Sequence, residues 1–130
     1  MGDYSPVNAM GKVPHRKTAS ATITGGQLLT ASGNNTVAPS TAGDRSIGVA
    51  AKDAVNGEPV PVWPITGVEH EVTITGAVVI AANNPIIAAA SGQVNTGTLA
   101  TVAAAGTLLG VCTRGGTGGS ATPTARFVGC

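Results

Sequence analysis

The sequence predicts an all-β fold, a small β-barrel or β-sandwich carrying an internal pseudo-repeat and preceded by an extended N-terminal arm. Short runs alternate apolar and polar residues with period two, the signature of half-buried strands. Turn signals punctuate those runs at Ser32-Gly33-Asn34-Asn35, Ala42-Gly43-Asp44, Asn56-Gly57, Asn83-Asn84-Pro85 and Ser91-Gly92. Regularly spaced short strands with such punctuation are characteristic of sandwiches and barrels.

Residues 1–20 differ from the rest, with prolines at 6 and 14, little periodicity and a basic cluster of Lys12, His15, Arg16 and Lys17 around Pro14. They read as an extended arm, and residues 21–130 as one β domain. Ala21-Thr22-Ile23-Thr24 before Gly25-Gly26 is the first strand expected in that domain. The segment Glu58-Pro-Val-Pro-Val-Trp63-Pro64 holds three prolines, each lacking a ladder donor, so it reads as an edge strand or rim. The clearest strand runs from Val68 to Thr75. Val68, His70, Val72 and Ile74 share one parity there, and Glu69, Glu71, Thr73 and Thr75 the other. Residues 98–109 carry alanines that permit a helix, but Thr101, Val102 and glycines at 97, 106 and 110 weigh against one. The run Gly115-Gly116-Thr117-Gly118-Gly119 reads as a flexible hairpin loop. It lacks the Gly-Lys-Ser/Thr ending of a phosphate loop.

The two halves resemble each other. Thr22-Ile23-Thr24-Gly25 recurs as Thr73-Ile74-Thr75-Gly76, Thr30-Ala31-Ser32-Gly33 resembles Ala89-Ala90-Ser91-Gly92, and Ile47-Gly48-Val49-Ala50 resembles Leu109-Gly110-Val111-Cys112. Chance matches are common in so biased a sequence. If the repeat is genuine, two copies of one meander, residues 22–67 and 73–129, form halves of one barrel.

Composition narrows the function. Alanine, glycine, threonine and valine supply 72 of the 130 residues; Lys and Arg number 7, Asp and Glu 6, and the aromatic residues are Tyr4, Trp63 and Phe127. Catalytic constellations, stacking platforms and basic grooves have few residues to be built from, which argues against most enzymes and against specific nucleic-acid binding. Small side chains and a high glycine content make for a modest core, so oligomerisation or docking on a larger surface is the expected remedy. Residues 1–20 hold no apolar run of signal-peptide length, and the longest small-apolar stretch, 99–112, is interrupted by Thr101, Gly106, Thr107 and Gly110 and short of a membrane span. Cys112 and Cys130 form neither a metal spacing nor a disulfide framework, and read as reduced thiols.

Several residues invite a chemical reading. Glu69 and Glu71 lie two apart on one strand face, the arrangement of an acid and base pair, yet no nucleophile or oxyanion donor accompanies them and a solvated face explains them. His70 points to the other face and His15 lies in the arm, so no zinc site or other metal or cofactor is expected. Lys12, Pro14, His15, Arg16 and Lys17 suit an arm docking on an acidic protein surface. Trp63, held on a stiff proline-flanked segment, is either an interface anchor or a plug for the barrel end.

Taken in order, Thr-Ile-Thr-Gly-Gly-Gln-Leu-Leu at 22–29, Arg45-Ser-Ile-Gly-Val-Ala-Ala-Lys-Asp-Ala, Asn56-Gly57-Glu58-Pro-Val-Pro-Val and Leu108-Leu-Gly-Val-Cys resemble the small head decoration, or capsid cement, proteins of tailed bacteriophages. The resemblance spans most of residues 21–129. It implies a β-rich, often trimeric, non-enzymatic virion protein, made in the host cytoplasm, whose partners are the major capsid protein and copies of itself. Such a module binds the exterior of the mature shell and bridges capsomers. The alternative from a different class is a carbohydrate- or host-surface-binding β module of a phage tail or fibre, with Trp63 as a contact. Cys130 has no role in the family pattern.

Overall fold

A computed structural model describes residues 3–130; residues 1 and 2 of the expected arm lie outside the described residues. Five strands form a closed barrel: β1 (His15–Ala19), β2 (Leu28–Gly33), β3 (Thr36–Pro39), β4 (Ser46–Ala50) and β5 (Pro59–Pro64). Neighbours run in the order β1-β3-β2-β4-β5, and β5 returns to pair with β1. Only the β1·β3 contact is parallel. A second sheet has the order β6-β12-β10-β8-β9, from β6 (Glu69–Thr73), β8 (Pro85–Ala88), β9 (Val94–Asn95), β10 (Gly110–Arg114) and β12 (Thr124–Gly129). The short strands β7 (Val79–Ile80) and β11 (Gly116–Thr117) pair with each other beside it. The all-β expectation holds, with one short helix, α1 (Leu99–Ala105), added.

The pseudo-repeat is present in the hydrogen-bond registers. In the barrel, Val62 stands opposite His15 and Ala50, Leu29 opposite Gly48, and Ala19 opposite Val37 in parallel. In the second sheet, Phe127 stands opposite His70 and Cys112, Ile86 opposite Gly110, and Ile74 opposite Val94 in parallel. The isolated bridge Ile23↔Ala54 likewise has its counterpart in Ile80↔Gly116. Thus β1, β2, β3, β4 and β5 correspond to β6, β8, β9, β10 and β12. The offset grows from 55 (15 to 70) to 65 (62 to 127), because insertions, α1 among them, accumulate along the second copy.

This corrects the sequence alignment of the repeat in two ways. Only the match of 47–50 to 109–112 is in register, and the two copies are a closed barrel and a separate sheet rather than halves of one barrel. The first copy begins at β1, so residues 15–19 of the expected arm are a barrel strand.

The cores follow the same duplication. Ala19, Ile23, Leu29, Val37, Ala50, Ala54, Val60 and Val62 fill the barrel. Their counterparts Ile74, Ile80, Ile86, Val94, Cys112, Ala125 and Phe127 are buried in the second core, with glycine (Gly116) standing for Ala54. Leu28, Val49 and Ile65 of the first copy join that second core, so these side chains weld the two units together. Burial of this kind contributes about 25 cal/mol for each square ångström of apolar surface removed from water. Gly48 and Gly110 occupy matching positions, and a Cβ on either would overlap the carbonyl of the facing strand, at Trp63 and Val128 respectively. Close strand approach therefore fixes glycine at both.

Three local expectations are overturned. Within 98–109 a helix does form, over Leu99–Ala105: Gly106 (φ 72°) is its left-handed C-cap, not a breaker, and its N–H reaches Val102 and Ala103 carbonyls. The proline-rich β5 is paired on both sides, but to β1 mainly over 59–62 and to β4 over 62–64, so each proline lies where one ladder is absent. The glycine run at 115–119 is not a flexible loop. A Cβ at Gly115 or Gly118 would collide with the Ile80 or Gly76 carbonyl, so the run packs backbone on backbone.

Candidate docking surface

The β1·β5 ladder sets His15 opposite Val62, Arg16 opposite Pro61 and Lys17 opposite Val60, so the basic cluster lies along the strand that carries Trp63. Because β1 meets β3 only at Thr18 and Ala19, the half carrying His15, Arg16 and Lys17 has a free edge. Charged residues on such an edge oppose strand addition. Lys12, Pro14, His15 and Arg16 are exposed and Lys17 is half-buried. They make β1 and its approach a basic rim, with Arg16 on the opposite face from His15 and Lys17.

Trp63 follows Val62 on β5 and pairs with β4 rather than β1. It shares the outward face of the barrel with Val49, its cross-strand partner, and with Leu28 beyond. The residue is half-buried and its indole Nε1 is shielded from solvent without a hydrogen-bond partner.

A tie that sequence reasoning missed fixes the N-terminal segment to the second sheet. His70 is fully buried, and its Nε2 lies 2.8 Å from the Pro64 carbonyl, so that nitrogen carries the proton. Nδ1 must then accept, and the donor is the Tyr4 hydroxyl at 2.8 Å, which itself accepts from the Glu71 N–H at 3.2 Å. Tyr4 stacks on His70 and Phe127 lies tilted against it, with ring centroids 5.9 Å apart in each pair. Burial lowers the His70 pKa against the opposing pull of the Pro64 carbonyl, and burial also raises that of Tyr4. Both groups are held neutral. The lone tyrosine beside a buried-parity histidine was the available signal, but no local rule links positions 66 apart.

Around Tyr4 an open cleft of mixed character is lined by Asp3, Val7, Gln27, Glu71, Val72 and Gln93. The Glu71 carboxylate pairs with Arg126 Nε at 2.8 Å, lies 3.6 Å from Arg114 and accepts from the Thr124 hydroxyl. These partners hold its pKa below the usual carboxylate value, the hydrogen bond from Arg126 foremost. Glu69 accepts instead from Thr113. The two carboxylates thus engage separate partners, and Glu71 is tuned away from acting as a general acid.

No family model matches this chain and no curated protein is similar to it. Among solved structures, the chain is similar to the N base of the head fiber gp8.5 of bacteriophage phi29. The TM-score is 0.67 at 15% sequence identity, covering 90% of this chain and 92% of that one. The likeness runs through both copies of the repeat and establishes a shared fold.

Proposed function

We propose that this chain is a structural, non-enzymatic virion protein of a tailed phage that binds the exterior of the mature capsid and stabilises it by bridging capsomers, as a trimer. The observation that carries the reading is the end-to-end fold likeness to the base of a phage head fiber. The surface is consistent with that work: it offers a basic rim and an exposed apolar row. In this reading Lys12, His15 and Arg16 of the rim meet an acidic patch on the major capsid protein, and Pro14 stiffens their approach. The alternative, a tail or host-surface module, would use Trp63 as a contact; that residue is half-buried with its Nε1 shielded, which leaves it less to offer than a fully exposed ring.

Cosedimentation of the full chain with expanded heads, and with unexpanded proheads as comparison, tests the reading. Saturable binding to expanded heads at a fixed copy number per capsomer is the expected result. Binding to neither form would overturn it. Deleting residues 2–17 would remove most of β1, so the basic rim is tested instead by Lys12→Glu with Arg16→Glu, which should weaken head binding and leave the barrel folded.

A further inference from the structure

The duplicated fold exposes on its second copy an apolar row that the first copy covers. In the barrel, Leu28, Val49 and Trp63 lie side by side on the outward face, and Leu28 and Val49 are 0% exposed because the second unit packs on them. The matching row on the second sheet is Pro85, Val111 and Val128, in the same register across β8, β10 and β12. There Val111 is 42% and Val128 39% exposed, and Pro85 is half-buried.

The covering group is duplicated as well. Near Leu28 the second unit contributes the turn Ala90–Gly92: the Gln27 amide donates to the Ser91 carbonyl, and Gly92 lies against the backbone of Leu28. Leu109 belongs to the same buried cluster as Leu28 and Val49. Their counterparts in the barrel are the turn after β2, where Asn35 (φ 60°) repeats the left-handed conformation of Gly92 (φ 67°), and Ile47, which is 40% exposed. The chain therefore carries one satisfied contact between a row and a covering group, plus one exposed row and, in Ile47 beside the seam of the two units, one partly exposed covering residue.

We propose that the row Pro85, Val111 and Val128 docks the first barrel of a second copy of this chain, through Ile47 and the turn at 33–35. The contact is heterologous, one patch meeting a different patch, and such contacts close into rings or extend into filaments. Asn35 carries a side chain where Gly92 has none, so the contact between copies cannot repeat the close backbone approach that Gly92 makes to Leu28. The inference rests on the self-association in the proposed function and is independent of capsid binding.

Sedimentation equilibrium of the full chain, under reducing conditions because Cys130 is exposed, supplies the test. Wild-type protein should associate with rising concentration. Val111→Lys with Val128→Lys, and separately Ile47→Lys, should each weaken association by about tenfold or more. Circular dichroism checks that each variant is folded, and Val111→Thr with Val128→Thr serves if the lysines disturb the sheet. Mixing the row variant with the Ile47 variant should yield a dimer that grows no further, since each supplies the patch the other lacks.

A wild-type chain that stays monomeric, a row variant that associates like wild type, or a mixture that does not pair would each overturn the proposal. Head cosedimentation of the same variants separates the two readings. A monomeric wild type whose row variant loses head binding would assign the row to the capsid instead. A non-associating row variant that still binds heads would leave both readings standing.

Discussion

The Tyr4 hydroxyl sits 2.8 Å from Nδ1 of His70, joining the N-terminal segment to the buried histidine of a strand 66 positions later. The same oxygen accepts the Glu71 N–H, and the far nitrogen of the ring donates to Pro64. One hydroxyl thus completes a polar chain that would otherwise be stranded in an apolar core.

Tyr4→Phe keeps the ring stack but leaves Nδ1 and the Glu71 N–H without a partner. Leaving buried polar groups unpaired costs roughly 1–3 kcal/mol. Urea denaturation should show a loss in that range with an unchanged slope. A loss below the error of the fit would show that water replaces the hydroxyl.

Stability should fall as the solution is acidified through the histidine range. Burial depresses the folded-state pKa of His70, so the unfolded chain binds the extra proton first. Stability from this source is complete above the ordinary value of about 6.5 and is lost as pH drops from there towards the folded value. Glu71, also depressed, adds a loss of the same sign at lower pH, below its ordinary 4.5. Thermal melts between neutral and mildly acidic pH should show the decline, and His70→Gln should flatten its upper part. An identical slope in that variant would assign the effect elsewhere.

Alanine at Gly48 or at Gly110 should destabilise to a similar degree, because both positions meet the facing carbonyl in the same way. Overpacking of this kind costs about 1–3 kcal/mol. Gly57→Ala is the contrast: nothing lies within 4 Å of its Cβ, and only the positive φ of 91° opposes the change. Chemical denaturation of the three variants ranks them, and equal costs at all three would remove the close-approach argument.

The two thiols should differ in reactivity. Cys130 is exposed, whereas Cys112 is buried in the second core, where desolvation raises its pKa. A thiol reagent should modify one cysteine per native chain, and the second only on unfolding. Rapid labelling of both would mean that the second sheet opens readily.

Strands with one wet face were legible from alternation, as β6 shows, with Val72 and His70 inward and Glu69 and Glu71 outward. The residues at 15–17 escaped because half of β1 has no neighbour on one side, so its charged residues tolerate water and mimic an arm. Lys17 stands where the second copy has buried Val72, which erased the sequence likeness at the start of the repeat. The repeat was visible only where glycine was compulsory, at 48 and 110. Insertions such as α1 shifted everything around them. Of the surface residues, the sequence identified the basic rim and Trp63 but not the row at 85, 111 and 128, whose meaning depends on what covers its counterpart.

The ladder between β1 and β5 also governs the order in which the chain can assemble. Residue 15 cannot find residue 62 until the whole intervening segment exists, and Tyr4 has no seat until β6 and β12 have met. Contacts between distant parts of a chain form slowly because loop closure precedes their reward. During synthesis Tyr4 and His15 are therefore immobilised only after residues that emerge much later. Refolding should end with a late phase in which the tyrosine environment changes after most of the strand signal has been recovered.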